Sequence, residues 1–203
     1  WFLFSSWIEP HHQNDHNRYE GPIGSRQMFG DFEVPGDLEG HDGDWAENFA
    51  DYLGQCWSLD RNYGRIRDCL QELGIAEDTL IIYTADHGSH FRTRNSEYKR
   101  SCHDGCTHVP MLIEGPGFEG GARFDEMVSL LNVPPTIMRA AGLDIPDTMH
   151  DAPLQELVAG CADWRDDVFM QISESGTGRA VRTRRWKYCV SMPDVEAASD
   201  LYY

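Results

Sequence analysis

The sequence predicts an α/β fold, and three observations carry that expectation. Apolar residues recur every three or four positions from Asp44 to Leu73, a β-branched apolar run follows at Thr79–Thr84, and a second such run occupies Val109–Glu114. A long amphipathic helix followed closely by a buried strand is the α/β rhythm. With 203 residues and 40% hydrophobic content, the chain is long enough for a domain with a real core. Residues 1–150 are expected to form the main α/β part, and residues 151–203 the start of a smaller antiparallel subdomain.

The first element expected is a strand over Phe2–Trp7, an apolar and aromatic run that empties into Glu9-Pro10-His11-His12. Because Trp1-Phe2-Leu3-Phe4 reads as strand interior, the chain is expected to continue upstream. Residues 13–43 are polar, with scattered Gly, Pro, Asp and Asn, and predict a long surface loop. The helix comes next. Phe49, Leu53, Cys56, Leu59, Tyr63, Ile66, Leu70 and Leu73 define its apolar face, with Asp44 as N-cap and Gly74 at its end. Thr79–Thr84 forms a strand that empties into Ala85-Asp86-His87-Gly88, and Val109–Glu114 one closed by Gly115-Pro116-Gly117. Asn132 caps a short helix whose first turn accepts Pro134 and Pro135 and which Gly142 ends. Beyond Pro153, Val168–Ser173 and Arg179–Val190 read as two strands joined by a turn at 174–178. Leu201-Tyr202-Tyr203 is apolar enough for another strand, so continuation is expected downstream too.

The formal charge of −17 argues against a nucleic-acid partner, which needs a basic face. Any bound anion must therefore be held by local cations, a metal or aligned amides. The apolar run around Leu80–Tyr83 is far too short to cross a bilayer. Six cysteines, at 56, 69, 102, 106, 161 and 189, lack the density of a disulfide-stapled scaffold. Cys102, His103, Cys106 and His108 could gather around zinc, but a structural site needs a second ligand pair at the right spacing.

Two polar clusters, Pro10-His11-His12 and Asp86-His87-Gly88, each follow an apolar run, and open α/β sheets bind ligands beyond the carboxyl ends of their strands. By itself an Asp-His pair is as compatible with a strand-end hydrogen bond as with a metal.

Read together, Tyr83-Thr84-Ala85-Asp86-His87-Gly88, Glu97-Tyr98-Lys99-Arg100-Ser101-Cys102-His103 and His108-Val109-Pro110-Met111 resemble the sulfatase family of the alkaline-phosphatase-like superfamily. Its members follow a strand with Asp-His-Gly or Asp-Asn-Gly, then a lysine, a Val-Pro-Leu type strand and a Gly-Pro-Gly turn. Phe2 to His11 is similar to the family's strand ending in Pro-His. The resemblance implies a central sheet flanked by helices with a smaller antiparallel C-terminal subdomain.

It further implies that Asp86 and His87 supply half of a divalent-cation site, usually calcium, with the remaining acidic ligands upstream. Lys99 matches the lysine on the sulfate, and His11 the histidine beside the ester oxygen, where an imidazolium assists the leaving alcohol. His12 competes for that role. His103, His90 and Arg100 are further substrate-binding candidates near the same mouth. The implied substrate is a small-molecule or glycan sulfate ester, and the implied location is outside the cytosol: periplasmic, extracellular or lysosomal.

The implied nucleophile is a formylglycine within Cys/Ser-x-Pro/Ala-x-Arg. No cysteine or serine here opens that motif, so it is expected upstream and this stretch alone is expected to be inactive. His108 stands where many members carry arginine, and Asn132 where an acid is common. Two rivals share these residues: a phosphoester or phosphonate hydrolase of the same superfamily, and a non-catalytic module that binds an anionic glycan.

Overall fold

The structure, a computed structural model, describes residues 1–118, 120–174 and 177–192. The chain forms two units, one of residues 1–76 and 89–99, the other of residues 77–88 and 100–203.

The first unit is organised by helix α2, Trp45–Glu72, where the three-to-four periodicity placed it. Asp44 stands at its N-cap position without a capping hydrogen bond, because its carboxylate turns toward Arg92 Nε, 3.4 Å away. The C-terminus closes as expected on Gly74, at φ 68°, with Gly74 N–H donating to Gln71 and Ile75 N–H to Leu70. Helix α1, Ser25–Phe29, lies against α2. Arg26 pairs with Asp51 at 2.7 Å, and a Cβ on Gly54 would lie 2.0 Å from Ser25 Oγ, so only glycine permits this approach.

The 13–43 stretch departs from the expected surface loop. It contains α1, and it sends Tyr19 and Leu38 into the core beside Phe49 and Phe91, with Phe32, Val34, Trp45, Tyr52 and Leu53 packed around them. Gly and Asn frequency reports turns, but a few well-spaced aromatics are enough to anchor a loop by burial. The 89–99 segment crosses the same core through Phe91, and Phe91 and Arg92 both adopt left-handed backbone, φ 50° and 58°. Such conformations persist only where neighbours hold them. Here Asp44 N–H binds the Phe91 carbonyl and Arg92 bonds to Asn17 Oδ1.

Residues 2–7 do not form the expected strand. They are unpaired, with Trp1, Phe2, Leu3 and Phe4 largely exposed. A strand exists only with a ladder partner, and none of the described strands supplies one.

In the second unit, β1 (Ile81–Thr84) pairs antiparallel with β2 (Met111–Glu114). Their side chains are mostly half-buried, not the fully buried run expected. Between them lies the one-turn helix α3, Asp104–Thr107. Helix α4, Val133–Ala140, begins after Asn132 and carries both prolines in its first turn, as expected. The Asn132 side chain, however, serves the preceding turn, accepting Ser129 N–H and donating to the Ala152 carbonyl. Helix α5, Leu154–Val158, follows.

The C-terminal part is antiparallel, but with three strands: β3 (Asp167–Ile172), β4 (Thr177–Thr183) and β5 (Lys187–Met192), in that order. The expected single strand over 179–190 is broken at 184–186, where Thr183 N–H binds the Trp186 carbonyl and closes a hairpin turn. The run Leu201–Tyr203 lies outside the described residues, as do Ser175 and Gly176 of the expected turn.

Candidate active site

In the first unit, His11 sits where the chain bends into the 13–43 segment. Its Nδ1 contacts the His12 carbonyl, which can only accept, so Nδ1 carries the proton and Nε2 presents the lone pair. That Nε2 lies 3.0 Å from the Tyr98 hydroxyl. The next residue is Lys99, whose Nζ stands 5.4 Å from the centroid of the Tyr98 ring, within cation–π range. The structure thus brings His11 and Lys99 together on one tyrosine.

Tyr98 is rigidly seated. Its ring stacks on His12 at 4.7 Å, and its carbonyl accepts from Ser89 Oγ and from His90 N–H. Ser89 Oγ in turn accepts from Tyr19, whose hydroxyl burial pushes far above the ordinary tyrosine range. His90 is buried, and its Nε2 bonds to the Lys99 carbonyl at 3.2 Å, where Asn95 Nδ2 also donates. His90 therefore fixes the Lys99 backbone. His12, at 2% exposure, is a packing residue wedged between Tyr98 and Tyr19. Sequence reasoning weighed His12 and passed over Tyr98, and the only available signal was the position of Tyr98 directly before Lys99.

In the second unit, β1 delivers Asp86 and His87 at its end. Asp86 Oδ1 accepts the His87 N–H, and Oδ2 lies 3.5 Å from His87 Nε2. His87 Nδ1 bonds to the Gly88 carbonyl at 2.9 Å, so Nδ1 holds the proton and Nε2 keeps its lone pair beside the carboxylate. An imidazole oriented through its second nitrogen onto a backbone carbonyl is the arrangement of a metal-ligating histidine. The Asp86 side chain is 87% exposed and open to a ligand. A carboxylate oxygen and an imidazole nitrogen 3.5 Å apart can both reach one divalent cation at about 2.0–2.6 Å. The fit is that of a half-site, since no third His, Cys, Asp or Glu joins them among the described residues.

Gly88 seats this turn. Its N–H binds the Cys106 carbonyl at 2.8 Å, and a Cβ there would lie 2.2 Å from the Gly105 carbonyl oxygen. His103 is exposed at the start of α3. Arg100, at φ 63°, pairs with Glu174 at 2.7 Å, which joins the segment after Lys99 to the turn beyond β3. Asp104 binds Lys187 and Arg182 from β5 and β4. Burial alone would raise its carboxyl, but the two cations outweigh burial and hold it below the usual carboxylate range.

These features belong to an alkaline-phosphatase-like fold, with His11 and Lys99 in its first unit and Asp86 and His87 in its second. The sulfatase family model matches residues 1–143, the model of the N-sulphoglucosamine sulphohydrolase C-terminal region matches residues 96–202, and the chain belongs to the sulfatase family. Arylsulfatase K of Bos taurus is 29% identical over 150 residues, covering 68% of this chain and 28% of that protein. The chain thus spans little more than a quarter of the relative's length.

Among solved structures, BT4656, in complex with its substrate D-glucosamine-2-N,6-O-disulfate, aligns with TM-score 0.64 and 20% identity over 86% of this chain and 39% of that one. The phosphonate monoester hydrolase of Silicibacter pomeroyi aligns with TM-score 0.58 and 25% identity over 76% of this chain and 38% of that one. No helix of the described residues is long and apolar enough to cross a membrane.

Proposed function

We propose that the intact protein is a metal-dependent sulfuric ester hydrolase that removes sulfate from a sulfated carbohydrate or related ester outside the cytosol. The observation that carries this reading is the pairing of His11 and Lys99 on Tyr98, in a chain of the sulfatase family. Lys99 binds a sulfuryl oxygen and offsets the negative charge that grows there in the transition state. Once its Nε2 has also taken up a proton, His11, as an imidazolium whose ring is fixed by the His12 carbonyl, hands that Nε2 proton to the leaving alcohol oxygen. Asp86 and His87 would hold a divalent cation, calcium by resemblance to the family, and the chemistry it would supply there is Lewis-acid polarisation of a sulfuryl oxygen. No cysteine or serine of this chain opens the formylglycine motif, so these residues do not supply the nucleophile.

In this reading His11 and Lys99 of the first unit and Asp86 and His87 of the second carry the chemistry. Arg100 and His103 are further substrate-binding candidates, and His90 acts through the Lys99 backbone. Residues 1–150 belong to the catalytic domain and residues 151–203 to the smaller C-terminal one. The relative solved with a disulfated glucosamine supports an amino-sugar sulfate as the first substrate to try.

The test is turnover of an aryl sulfate by the full-length protein. Lys99→Ala is expected to lower kcat about 10²–10³-fold, the usual loss when one charge-stabilising donor is removed. Unchanged turnover would remove Lys99 from the mechanism. The likeness to a phosphonate monoester hydrolase supports a second reading, phosphonate ester hydrolysis. Faster release from a phosphonate monoester than from the matching sulfate would favour it.

A further inference from the structure

In the first unit Ser89 is a hydrogen-bond hub whose proton directions follow from its partners. A serine hydroxyl has one proton and two lone pairs. The Phe91 N–H, 3.2 Å from Ser89 Oγ, can only donate, and the Tyr98 carbonyl, 3.1 Å away, can only accept. The Ser89 proton therefore goes to Tyr98, and the Tyr19 hydroxyl, at 2.7 Å, donates to the remaining lone pair. Burial holds Tyr19 well above the ordinary tyrosine range, so it stays protonated and stays a donor. Tyr19 is itself anchored: its N–H donates to Asn48 Oδ1 on α2 at 2.9 Å, and its ring lies against Phe91 at 5.1 Å. At the other end, the Tyr98 carbonyl also accepts His90 N–H at 2.9 Å, and the Tyr98 hydroxyl stands 3.0 Å from His11 Nε2. A continuous chain thus runs from helix α2 through Tyr19 and Ser89 to Tyr98 and His11.

We propose that Ser89 is a positioning residue: acting through the Tyr98 backbone, it aims the Tyr98 hydroxyl at His11 and so fixes the direction from which His11 protonates the leaving oxygen. The inference rests on the proposed sulfate-ester hydrolysis and deepens it. While His11 is neutral, Nδ1 holds its proton and Tyr98 donates to Nε2. When Nε2 gains a proton, the hydroxyl turns and accepts from it, so the ring keeps its angle in both states. The leaving oxygen takes that Nε2 proton as its bond to sulfur breaks, and His11 returns to the neutral form. A general acid contributes only when it is aimed at the oxygen it serves. In Ser89→Ala the Tyr19 hydroxyl and the Phe91 N–H lose their acceptor in the core, the Tyr98 carbonyl loses a donor, and the chain from α2 to His11 is cut.

The test reads how turnover depends on the leaving group. An alkyl sulfate needs its oxygen protonated as it departs, whereas para-nitrophenolate leaves as an anion. For the full-length protein, kcat is measured on an alkyl sulfate and on para-nitrophenyl sulfate, and the ratio of the two is compared between variants. Partial unfolding lowers both rates alike and leaves that ratio fixed. His11→Ala is expected to lower the ratio of alkyl to nitrophenyl turnover about 10²-fold, the lower end of what a general acid contributes. Ser89→Ala is expected to lower it about 5–10-fold with KM unchanged, the worth of one hydrogen bond, and Ser89→Thr, which keeps the hydroxyl, to restore it. In a His11→Ala background, Ser89→Ala should add nothing to the ratio, and a further drop would overturn the proposal. An unchanged ratio in His11→Ala would sink the catalytic reading and the proposal with it. A shift in His11→Ala without one in Ser89→Ala would overturn the role of Ser89 alone. Should Ser89→Ala not fold, Tyr19→Phe removes the donor to Ser89 and keeps the ring. The ratio is then expected to fall about 2–3-fold, and no change there would overturn the proposal.

Discussion

Replacing Gly88 with alanine tests how the metal half-site is built. The added Cβ would lie 2.2 Å from the Gly105 carbonyl oxygen and 3.2 Å from its carbon, and real Cβ atoms come no closer than about 3.0 Å. Both neighbours are backbone, so either α3 or the Asp86–Gly88 turn must yield by roughly 0.8 Å, and the 2.8 Å bond from Gly88 N–H to Cys106 stretches or breaks. Overpacking of this kind costs about 1–3 kcal/mol and the hydrogen bond about 1 more. The Gly88 carbonyl is also what orients the His87 ring, so His87 Nε2 moves away from Asp86. Metal distances tolerate only about 0.2 Å, and loss of an orienting partner costs about 10–100-fold in affinity. Calorimetric titration of calcium into the full-length protein, with thermal unfolding alongside, reads both effects. Gly64→Ala is the control, since nothing lies within 4 Å of that Cβ in α2, and it is expected to hold or gain stability. A Gly88→Ala protein with wild-type calcium affinity and melting temperature would refute the reasoning.

Tyr98→Phe removes the hydroxyl at His11 Nε2 while keeping the ring on His12. Turnover of an aryl sulfate is expected to fall about 5–10-fold, the worth of one hydrogen bond, with calcium affinity unchanged. Equal turnover in the two proteins would leave Tyr98 as packing only. Asp104 gives a pH signature. Its folded-state pKa is depressed, so its contribution to stability is present above the unfolded value of about 3.9 and is lost as pH falls through the folded value. With the side chain 48% exposed, screening limits that contribution to about 1 kcal/mol. Melting temperatures of Asp104→Asn should lie below wild type at pH 7 and merge with it at strongly acidic pH. A constant gap across that range would contradict the assignment.

The sequence made the long helix, the end of β1 at Asp86-His87-Gly88 and the C-terminal antiparallel sheet legible, because each rests on local periodicity or on turn residues. Helix α2 is where its apolar spacing put it, and Gly74 and Gly142 end their helices as glycines do. What escaped depends on contacts distant in sequence. Nothing local says that Tyr19 in a polar stretch will reach Ser89, or that Tyr98 will meet His11, 87 residues away. The strand expected over 2–7 shows the converse: an apolar run has strand propensity, but pairing belongs to its neighbours. The break at 184–186 was hidden by a run of charged and aromatic residues without Gly or Pro. Asp44 and Asn132 stand at helix N-caps as read, yet their side chains serve Arg92 and Ser129, since a better-placed partner outcompetes the cap.

A crystal structure of the full-length protein with calcium and a bound sulfate ester would measure the proposed mechanism most directly. The cation is expected within about 2.6 Å of an Asp86 oxygen and His87 Nε2, with Lys99 Nζ and His11 Nε2 both at hydrogen-bonding distance from the same sulfate. Calcium bound without Asp86 and His87, or Lys99 and His11 opening onto a face other than the one that holds the sulfate, would contradict it.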